Sequence, residues 1–295
     1  MLMQREISNN LEICDIALGV GVILNNRYRI VDYMSWGNVT IMYICNDIEK
    51  NEKVLIKELA PFSIVNRDLD GKRIVPKSKM CREKLKELKV SFDNEASILK
   101  RLSDDTYGLK GNVPDYKEYF FENGTSYLVM SYYKGIDLQK LTNTNAELNF
   151  RQIAKDLVNI VQRIHKAGIL HRDIKFSNIL LTEDKRVVLL DFGSSCYINN
   201  ETKSIRYVSN GFSPPELYDS DSLTRWVDNF SLGAVLYQML TGIGPIKYNS
   251  NSEMYIQDIS EYVNIPWILA YAIMKLLEIN PGKRLKKLQV VKMLL

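Results

Sequence analysis

Two polar clusters between residues 171 and 193 limit what this chain can fold into. His171-Arg172-Asp173-Ile174-Lys175-Phe176-Ser177-Asn178 is followed, thirteen residues after the asparagine, by Asp191-Phe192-Gly193. The run from Ala146 to Lys166 has helical periodicity and enters the first cluster through Ala167-Gly168. Val187-Val188-Leu189-Leu190 reads as a short strand that presents Asp191. Alone, Asp173 would be read as a surface or helix-capping carboxylate. That reading fails for the set, because chance would have to supply an acid, a lysine, an amide and a second acid at this spacing.

These residues resemble the catalytic core of the eukaryotic-like (Hanks-type) serine/threonine protein kinases. The resemblance implies an α+β, bilobal protein-kinase fold with a mostly β N-terminal lobe and a mostly α C-terminal lobe. It also implies ATP-dependent transfer of the γ-phosphoryl group to serine or threonine hydroxyls of protein substrates, in which positioning and charge do most of the work. By residue, Asp173 would orient the acceptor hydroxyl and take its proton, and Lys175 would neutralise the transferring group. Asn178 and Asp191 would hold magnesium, a hard cation that prefers oxygen ligands, with manganese able to replace it.

Upstream, Val54-Leu55-Ile56-Lys57 reads as an apolar strand ending in lysine, and Phe92-Asp93-Asn94-Glu95-Ala96-Ser97-Ile98-Leu99 has the spacing of an amphipathic helix. By resemblance Lys57 contacts the α- and β-phosphates, and Glu95 holds it through a charge-assisted pair. Ser35-Trp36-Gly37-Asn38-Val39-Thr40-Ile41-Met42 stands where the family has its glycine-rich phosphate loop, and only Gly37 keeps the glycine. Ser35 and Thr40 replace residues that would allow positive φ and close backbone approach. Met42, Leu55 and Leu180 match adenine-contacting positions, with Leu55 where a small alanine is common. Met130 matches the gatekeeper, and backbone groups from Ser131 to Tyr133 match the hinge that binds the adenine edge. Asp137 matches an acidic position near ribose or substrate, with a turn or helix cap as an equal reading.

The 38-residue separation of Lys57 and Glu95 includes a polar insertion, Pro61 to Val90. Asp68-Leu69-Asp70-Gly71 reads as a turn, Arg73-Ile74-Val75 as the start of an extended piece, and Ser78 to Leu88 as helical. The basic face of that helix reads either as solvated or as a receiver for a substrate or regulator. The run from Lys57 to Tyr133, insertion included, resembles a bacterial branch of the family.

Downstream, Gly193 to Ser213 corresponds to the activation segment. Thr202 and Ser204 are hydroxyls whose phosphates Arg172 could receive, whereas Ser209 matches a structural position that contacts the catalytic loop. Pro214-Pro215-Glu216 matches the family's Ala-Pro-Glu marker, with Glu216 a partner for Arg284, and Asp228 matches the acid that braces the catalytic loop.

The domain reading follows: a kinase domain over 25–295, with an N-lobe at 25–130, a hinge at 131–133, a C-lobe at 134–295 and an N-terminal extension at 1–24. With 295 residues, 46% hydrophobic and 25% charged, the chain can bury two lobes and is not a disordered one. A net charge of +4 is too modest to indicate nucleic acid, and no zinc-finger or RNA-binding spacing appears. Two histidines and four unpaired-spacing cysteines, Cys14, Cys45, Cys81 and Cys196, argue against a metal cluster or a disulfide scaffold. The apolar run Ile16 to Leu24 is nine residues, too short for a membrane span, and the expected location is cytoplasmic. The expected partner is a protein with a serine or threonine acceptor, with autophosphorylation open to it. Two alternatives stand beside transfer to protein: a pseudokinase or signalling scaffold, which Ser35, Thr40 and Leu55 keep open, and a small-molecule kinase, which Pro214-Pro215-Glu216 weighs against.

Overall fold

The computed structural model describes residues 16–142, 149–198, 209, 211–219, 226–248 and 253–295. Thr202, Ser204 and Cys14 lie outside them. The chain divides into two compact units, one of residues 1–100 and 115–132, the other of 101–114 and 133–295.

The first unit is built on an antiparallel sheet. In chain order its strands are β1 (Ile23–Leu24), β2 (Tyr28–Trp36), β3 (Thr40–Asp47), β4 (Glu52–Leu59), β7 (Tyr116–Glu122) and β8 (Thr125–Ser131), arranged β1-β2-β3-β4-β8-β7. Alternation along β4 sends Leu55 and Lys57 to one face and Val54, Ile56 and Glu58 to the other, and all five are buried. The Val54 and Ile56 face belongs to a core that includes Ile16, Leu18 and Leu24 of the N-terminal run and Val65 and Ile74 of the insertion. The insertion forms a second hairpin, β5 (Val65–Arg67) with β6 (Ile74–Pro76). Of the nine-residue apolar run, Ile16 and Leu18 thus pack into the sheet's core and Ile23–Leu24 form its edge strand β1.

Between β6 and β7 runs α1 (Lys79–Leu102), a single helix of 24 residues. The sequence suggested two helical pieces, Ser78 to Leu88 and Phe92 to Leu99. Neither glycine nor proline interrupts residues 79–102, so nothing breaks the hydrogen-bond ladder between them. Ser78 starts the helix, its Oγ accepting the Cys81 N–H at 3.1 Å. Leu88, Phe92, Ala96, Leu99 and Leu102 recur at three- and four-residue intervals and are buried.

The second unit is mostly helical. It comprises β9 (Gly135–Asp137), α2 (Leu138–Leu141), α3 (Phe150–Lys166), β10 (Ile169–Leu170), β11 (Ile179–Thr182), β12 (Val187–Leu189), β13 (Cys196–Tyr197), α4 (Glu216–Asp219), α5 (Trp226–Thr241), β14 (Ile246–Tyr248), β15 (Met254–Ile256), α6 (Trp267–Leu276) and α7 (Leu288–Leu294). Three strands pair as β12-β11-β9 and two as β10-β13, fixing the loops between β10 and β13. Gly135 lies so close to β11 that a Cβ there would meet the Leu181 carbonyl oxygen at 2.4 Å, so only glycine fits. The burial of α5 runs almost all round, from Val227 to Tyr237, as expected of a helix at the centre of a unit. The architecture is α+β, a sheet-based unit and a helical one.

Candidate active site

In the second unit the loop between β10 and the single 3₁₀ turn Phe176–Asn178 gathers the polar groups around Asp173, which is 6% exposed. Its Oδ2 accepts from Lys175 Nζ at 2.8 Å and from Asn178 Nδ2 at 2.9 Å. Its Oδ1 accepts from Ser209 Oγ at 2.5 Å, and that hydroxyl in turn accepts from Lys175 Nζ at 3.0 Å. Asn178 Nδ2 also donates to the Asp173 carbonyl at 2.9 Å. Both carboxylate oxygens are therefore oriented by hydrogen bonds.

The loop is held by Asp228 at the start of α5. Its Oδ2 accepts the His171 N–H at 2.8 Å and lies 2.8 Å from His165 Nε2, and its Oδ1 accepts the Arg172 N–H at 2.7 Å. Burial alone would raise the pKa of Asp228, but the hydrogen bond and charge of His165 outweigh it and hold the carboxyl below its ordinary range. His171 is buried and its pKa is pushed down, chiefly by burial against the pull of Asp228 and Asp173. Its Nδ1 accepts the Asp173 N–H at 3.2 Å and its Nε2 lies 3.0 Å from the Leu190 carbonyl. A carbonyl can only accept, so the ring is neutral with its proton on Nε2. Phe192 packs edge-on against it, ring centroids 4.7 Å apart.

Arg172 and Asp191 both have left-handed backbones, with φ of 66° and 59°. For residues other than glycine this conformation costs about 1–2 kcal/mol, and here the loop is over-determined: Asp228 grips the Arg172 amide and the Leu190 amide donates to the Asn178 carbonyl at 2.8 Å. Strain of this kind concentrates at functional sites. Asp191 is exposed at the end of β12, and its Oδ1 accepts the Gly193 N–H at 3.3 Å. Arg172 is buried with Nε donating to the Ser194 carbonyl at 2.5 Å.

Asn178 spends its amide nitrogen on Asp173, which turns Oδ1 into the atom offered to a ligand, and Asp191 supplies a carboxylate. An amide oxygen and a carboxylate are the donor set a magnesium ion accepts, so these residues fit the metal that the resemblance implies. Among the described residues no group of three or more histidine, cysteine or carboxylate side chains gathers as an alternative metal site.

In the first unit Lys57 Nζ donates to both oxygens of Glu95, at 2.8 and 3.0 Å, with the side chains 10% and 5% exposed. The pair joins β4 to α1. Ser35, Gly37 and Thr40 form a tight β2–β3 connection, in which the Gly37 N–H donates to the Thr40 carbonyl at 2.9 Å. Ser35 and Thr40 lie within the strands and neither has a positive φ, so this hairpin does not need glycine at either place. Met42 lies opposite Lys57 in the ladder, and Leu55 lies opposite Met130; Leu55 and Met130 are buried. Ser131 is bound twice to Asp115, its N–H to the carbonyl at 3.0 Å and its Oγ to the Asp115 N–H at 2.8 Å, so its backbone donor is already used.

In the second unit Tyr133 is half-buried, with the Arg186 guanidinium 5.8 Å from its ring centre. Leu180 is buried and pairs with Asp137 in the β11–β9 ladder. Asp137 caps α2, accepting the Lys140 N–H at 2.9 Å. Glu216 and Arg284 form the expected pair, 2.5 Å between Nη1 and Oε1, with the arginine side chain fully buried.

One buried cluster had no counterpart in the sequence reading. Glu58, next to Lys57 but on the opposite face of β4, is fully buried. It accepts from Tyr43 (2.6 Å), Tyr127 (2.7 Å) and Arg67 Nη2 (2.6 Å). Arg67 reaches from β5 of the insertion and also donates to the Ile16 carbonyl at 2.6 Å. The available signal was a carboxylate in alternation with Val54 and Ile56, on the same strand face as those two apolar residues, where burial demands a partner.

A sheet-based unit with a buried lysine–glutamate pair and a helical unit with an ordered Asp-Lys-Asn loop define a two-lobed α+β protein of the kinase class. The protein kinase domain model matches residues 37–293, and the chain belongs to that family. It is 27% identical over 281 residues to a probable serine/threonine-protein kinase of Clostridium acetobutylicum, covering 90% of this chain and 39% of the relative. It is also 27% identical to serine/threonine-protein kinase D of a Synechocystis species, covering 88% of this chain and 50% of the relative. The chain thus spans half or less of the length of these curated relatives. Among solved structures it is similar to PpkA-294 in its apo form, with a TM-score of 0.79 and 26% identity over 95% of this chain and 99% of that one.

Proposed function

We propose that this chain transfers the γ-phosphoryl group of ATP to serine or threonine hydroxyls of protein substrates. The observation that carries the reading is the Asp173 carboxylate, oriented on both oxygens by Lys175, Asn178 and Ser209. Asp173 aligns the acceptor hydroxyl and takes its proton as the new O–P bond forms and the bond to the β-phosphate oxygen breaks, leaving ADP. Lys175 sits beside the same carboxylate, where it can offset charge on the transferring group. Lys57, kept extended by Glu95, contacts the α- and β-phosphates. The Lys57–Glu95 pair weighs against a scaffold that has lost transfer. Leu55, Met42, Leu180 and Met130 supply apolar contact to adenine, and backbone groups at the 131–133 hinge take its polar edge. Asn178 and Asp191 hold magnesium, which when bound neutralises phosphate charge. Kinase-domain limits of 25–295 and a cytoplasmic location, where ATP is supplied, go with this reading. Among the described residues no helix is long and apolar enough to cross a membrane.

The test is incorporation of label from γ-labelled ATP into generic protein acceptors in magnesium buffer. Wild-type transfer should fall about 10²–10⁴-fold in Asp173→Ala, the range lost with a general base, and should become undetectable in Asp191→Ala. Near-wild-type transfer by Asp173→Ala would contradict the assignment, and a folded wild type without transfer in any condition favours the scaffold.

A further inference from the structure

Lys275 is the one charged residue of α6, a helix of ten residues that is otherwise apolar or aromatic. A helix apolar all round is normally buried all round, in a protein core or in a bilayer. Only one side of α6 meets that expectation. Leu269, Ala270, Ala272, Ile273 and Leu276 are buried in the second unit, whereas Trp267 is 76% and Tyr271 59% exposed, with Ile268 exposed beside them. These three stand at positions one, two and five of the helix, and so on one side of it. A single exposed apolar residue is ordinary on a protein surface. A tryptophan, an isoleucine and a tyrosine on one helix face make a patch, and patches of this kind mark interaction sites.

The patch runs into a cationic loop. Lys275 Nζ lies 5.9 Å from the Tyr271 ring centre, and the Lys275 carbonyl accepts the Leu285 N–H at 2.8 Å, which ties the loop between α6 and α7 to that end of α6. From Trp267 to Leu294 there are six basic residues, Lys275, Lys283, Arg284, Lys286, Lys287 and Lys292, against one acid, Glu278. The whole chain carries +4, so its excess positive charge is concentrated in this stretch. Arg284 is committed to Glu216 and Lys275 to Glu278. Lys283, Lys286 and Lys287 are exposed and have no ion pair among the described residues. Asp258 and Glu261, in the short turn that packs on α6, are already bonded to Ser260 and Gln257.

We infer that α6 and the loop after it dock this protein on a bilayer containing anionic phospholipid, with the helix lying in the plane of the interface. Trp267, Ile268 and Tyr271 enter among the headgroups, where amphipathic rings are favoured. Lys283, Lys286 and Lys287 meet the lipid phosphates, each lysine contributing about fivefold in affinity near such a surface. A nucleic acid would take up the lysines and stack on the rings, but it offers nothing to Ile268. A folded acidic protein would need a groove shaped to Trp267, whereas a bilayer takes the rings, the isoleucine and the lysines without a shaped partner. The contact is peripheral, since among the described residues no helix is long and apolar enough to cross a membrane. It is independent of phosphoryl transfer.

The test is co-sedimentation of the whole protein with large unilamellar vesicles, of phosphatidylcholine alone or mixed with phosphatidylglycerol, read together with tryptophan emission. Wild type should sediment with the anionic vesicles and not with the neutral ones, with a blue shift of emission that Trp267→Ser removes. Binding should weaken about tenfold or more in Trp267→Ser with Tyr271→Ser, and about 10²-fold in Lys283→Glu with Lys286→Glu and Lys287→Glu. All five positions are exposed, so both variants should keep the wild-type Tm, measured alongside. Failure of wild type to bind the anionic vesicles would overturn the proposal, as would equal binding to the neutral ones. So would binding indifferent to the Trp267 and Tyr271 changes, which is charge attraction alone. Displacement of the vesicles by a single-stranded oligonucleotide that itself quenches Trp267 would assign the surface to nucleic acid instead, and a dimer abolished by Trp267→Ser would assign it to a second copy of this chain.

Discussion

Replacing Arg67 by methionine should destabilise the first unit severely, although Arg67 belongs to an insertion 10 residues from Lys57 along the chain. Its side chain is 4% exposed and that of Glu58 is 0% exposed, with 2.6 Å between Nη2 and Oε2. Burial lowers the pKa of Arg67, but the Glu58 charge more than restores it, so the arginine stays ionised. Methionine fills much of the same volume but leaves Glu58 a buried carboxylate held only by the Tyr43 and Tyr127 hydroxyls. Removing one member of a buried pair costs about 3–5 kcal/mol. The two phenols remain as donors, and the lost bond to the Ile16 carbonyl adds to the deficit, so about 3–4 kcal/mol is expected. For a unit of this size the loss corresponds to a fall in Tm of about 10–20 °C. Glu58→Gln in the Arg67→Met background removes the stranded charge and should recover about half of the loss, whereas the sum of independent effects predicts further destabilisation. Because two units need not unfold together, hydrogen exchange read on peptides from β3 to β5 is the suitable assay, alongside denaturant melts. A cost below about 1 kcal/mol for Arg67→Met, or a double mutant no better than the single, would refute the argument that Glu58 is a buried charge in need of this partner.

Two further outcomes follow from the two units. Glu95→Gln keeps shape but removes the charge that holds Lys57, and kcat for phosphoryl transfer should fall about 10–100-fold, the worth of a charge-assisted bond of 1.5–3 kcal/mol; an unchanged kcat with normal protein would show that Lys57 is positioned by other groups. His171 is neutral in the folded protein, with its pKa below the ordinary 6.5. The unfolded chain therefore binds a proton that the folded one excludes. Its contribution to stability is complete above pH 6.5 and is lost as pH falls through the depressed folded value, at up to about 1.4 kcal/mol per pH unit. Urea melts between pH 7 and 5 should show a shallower decline in His171→Gln than in wild type, and equal slopes would contradict a buried neutral imidazole.

Residues close in sequence could be read directly, because one short loop determines their distances. Asp173, Lys175 and Asn178 lie within six residues of each other, and a strand of three residues carries the chain to Asp191. Secondary structure was legible where periodicity was strong, as in Phe150–Lys166. It was less so in α1, where Val90 and Ser91 blur the apolar stripe although no breaker stands in the way.

By itself the sequence determined the family, the α+β class and the set of chemical groups that the proposed phosphoryl transfer would use, since motif spacing and apolar periodicity are properties of a single stretch of chain. Only the tertiary structure decided that Arg67 neutralises Glu58, that Ile16 and Leu18 pack into the core of a sheet, and that Arg82, Lys86 and Phe121 border one cavity. The physical reason is that these contacts join segments whose separation along the chain carries no information about distance. Burial then makes the outcome binding, because a charge or an apolar face taken from water must find its partner in whatever packs against it.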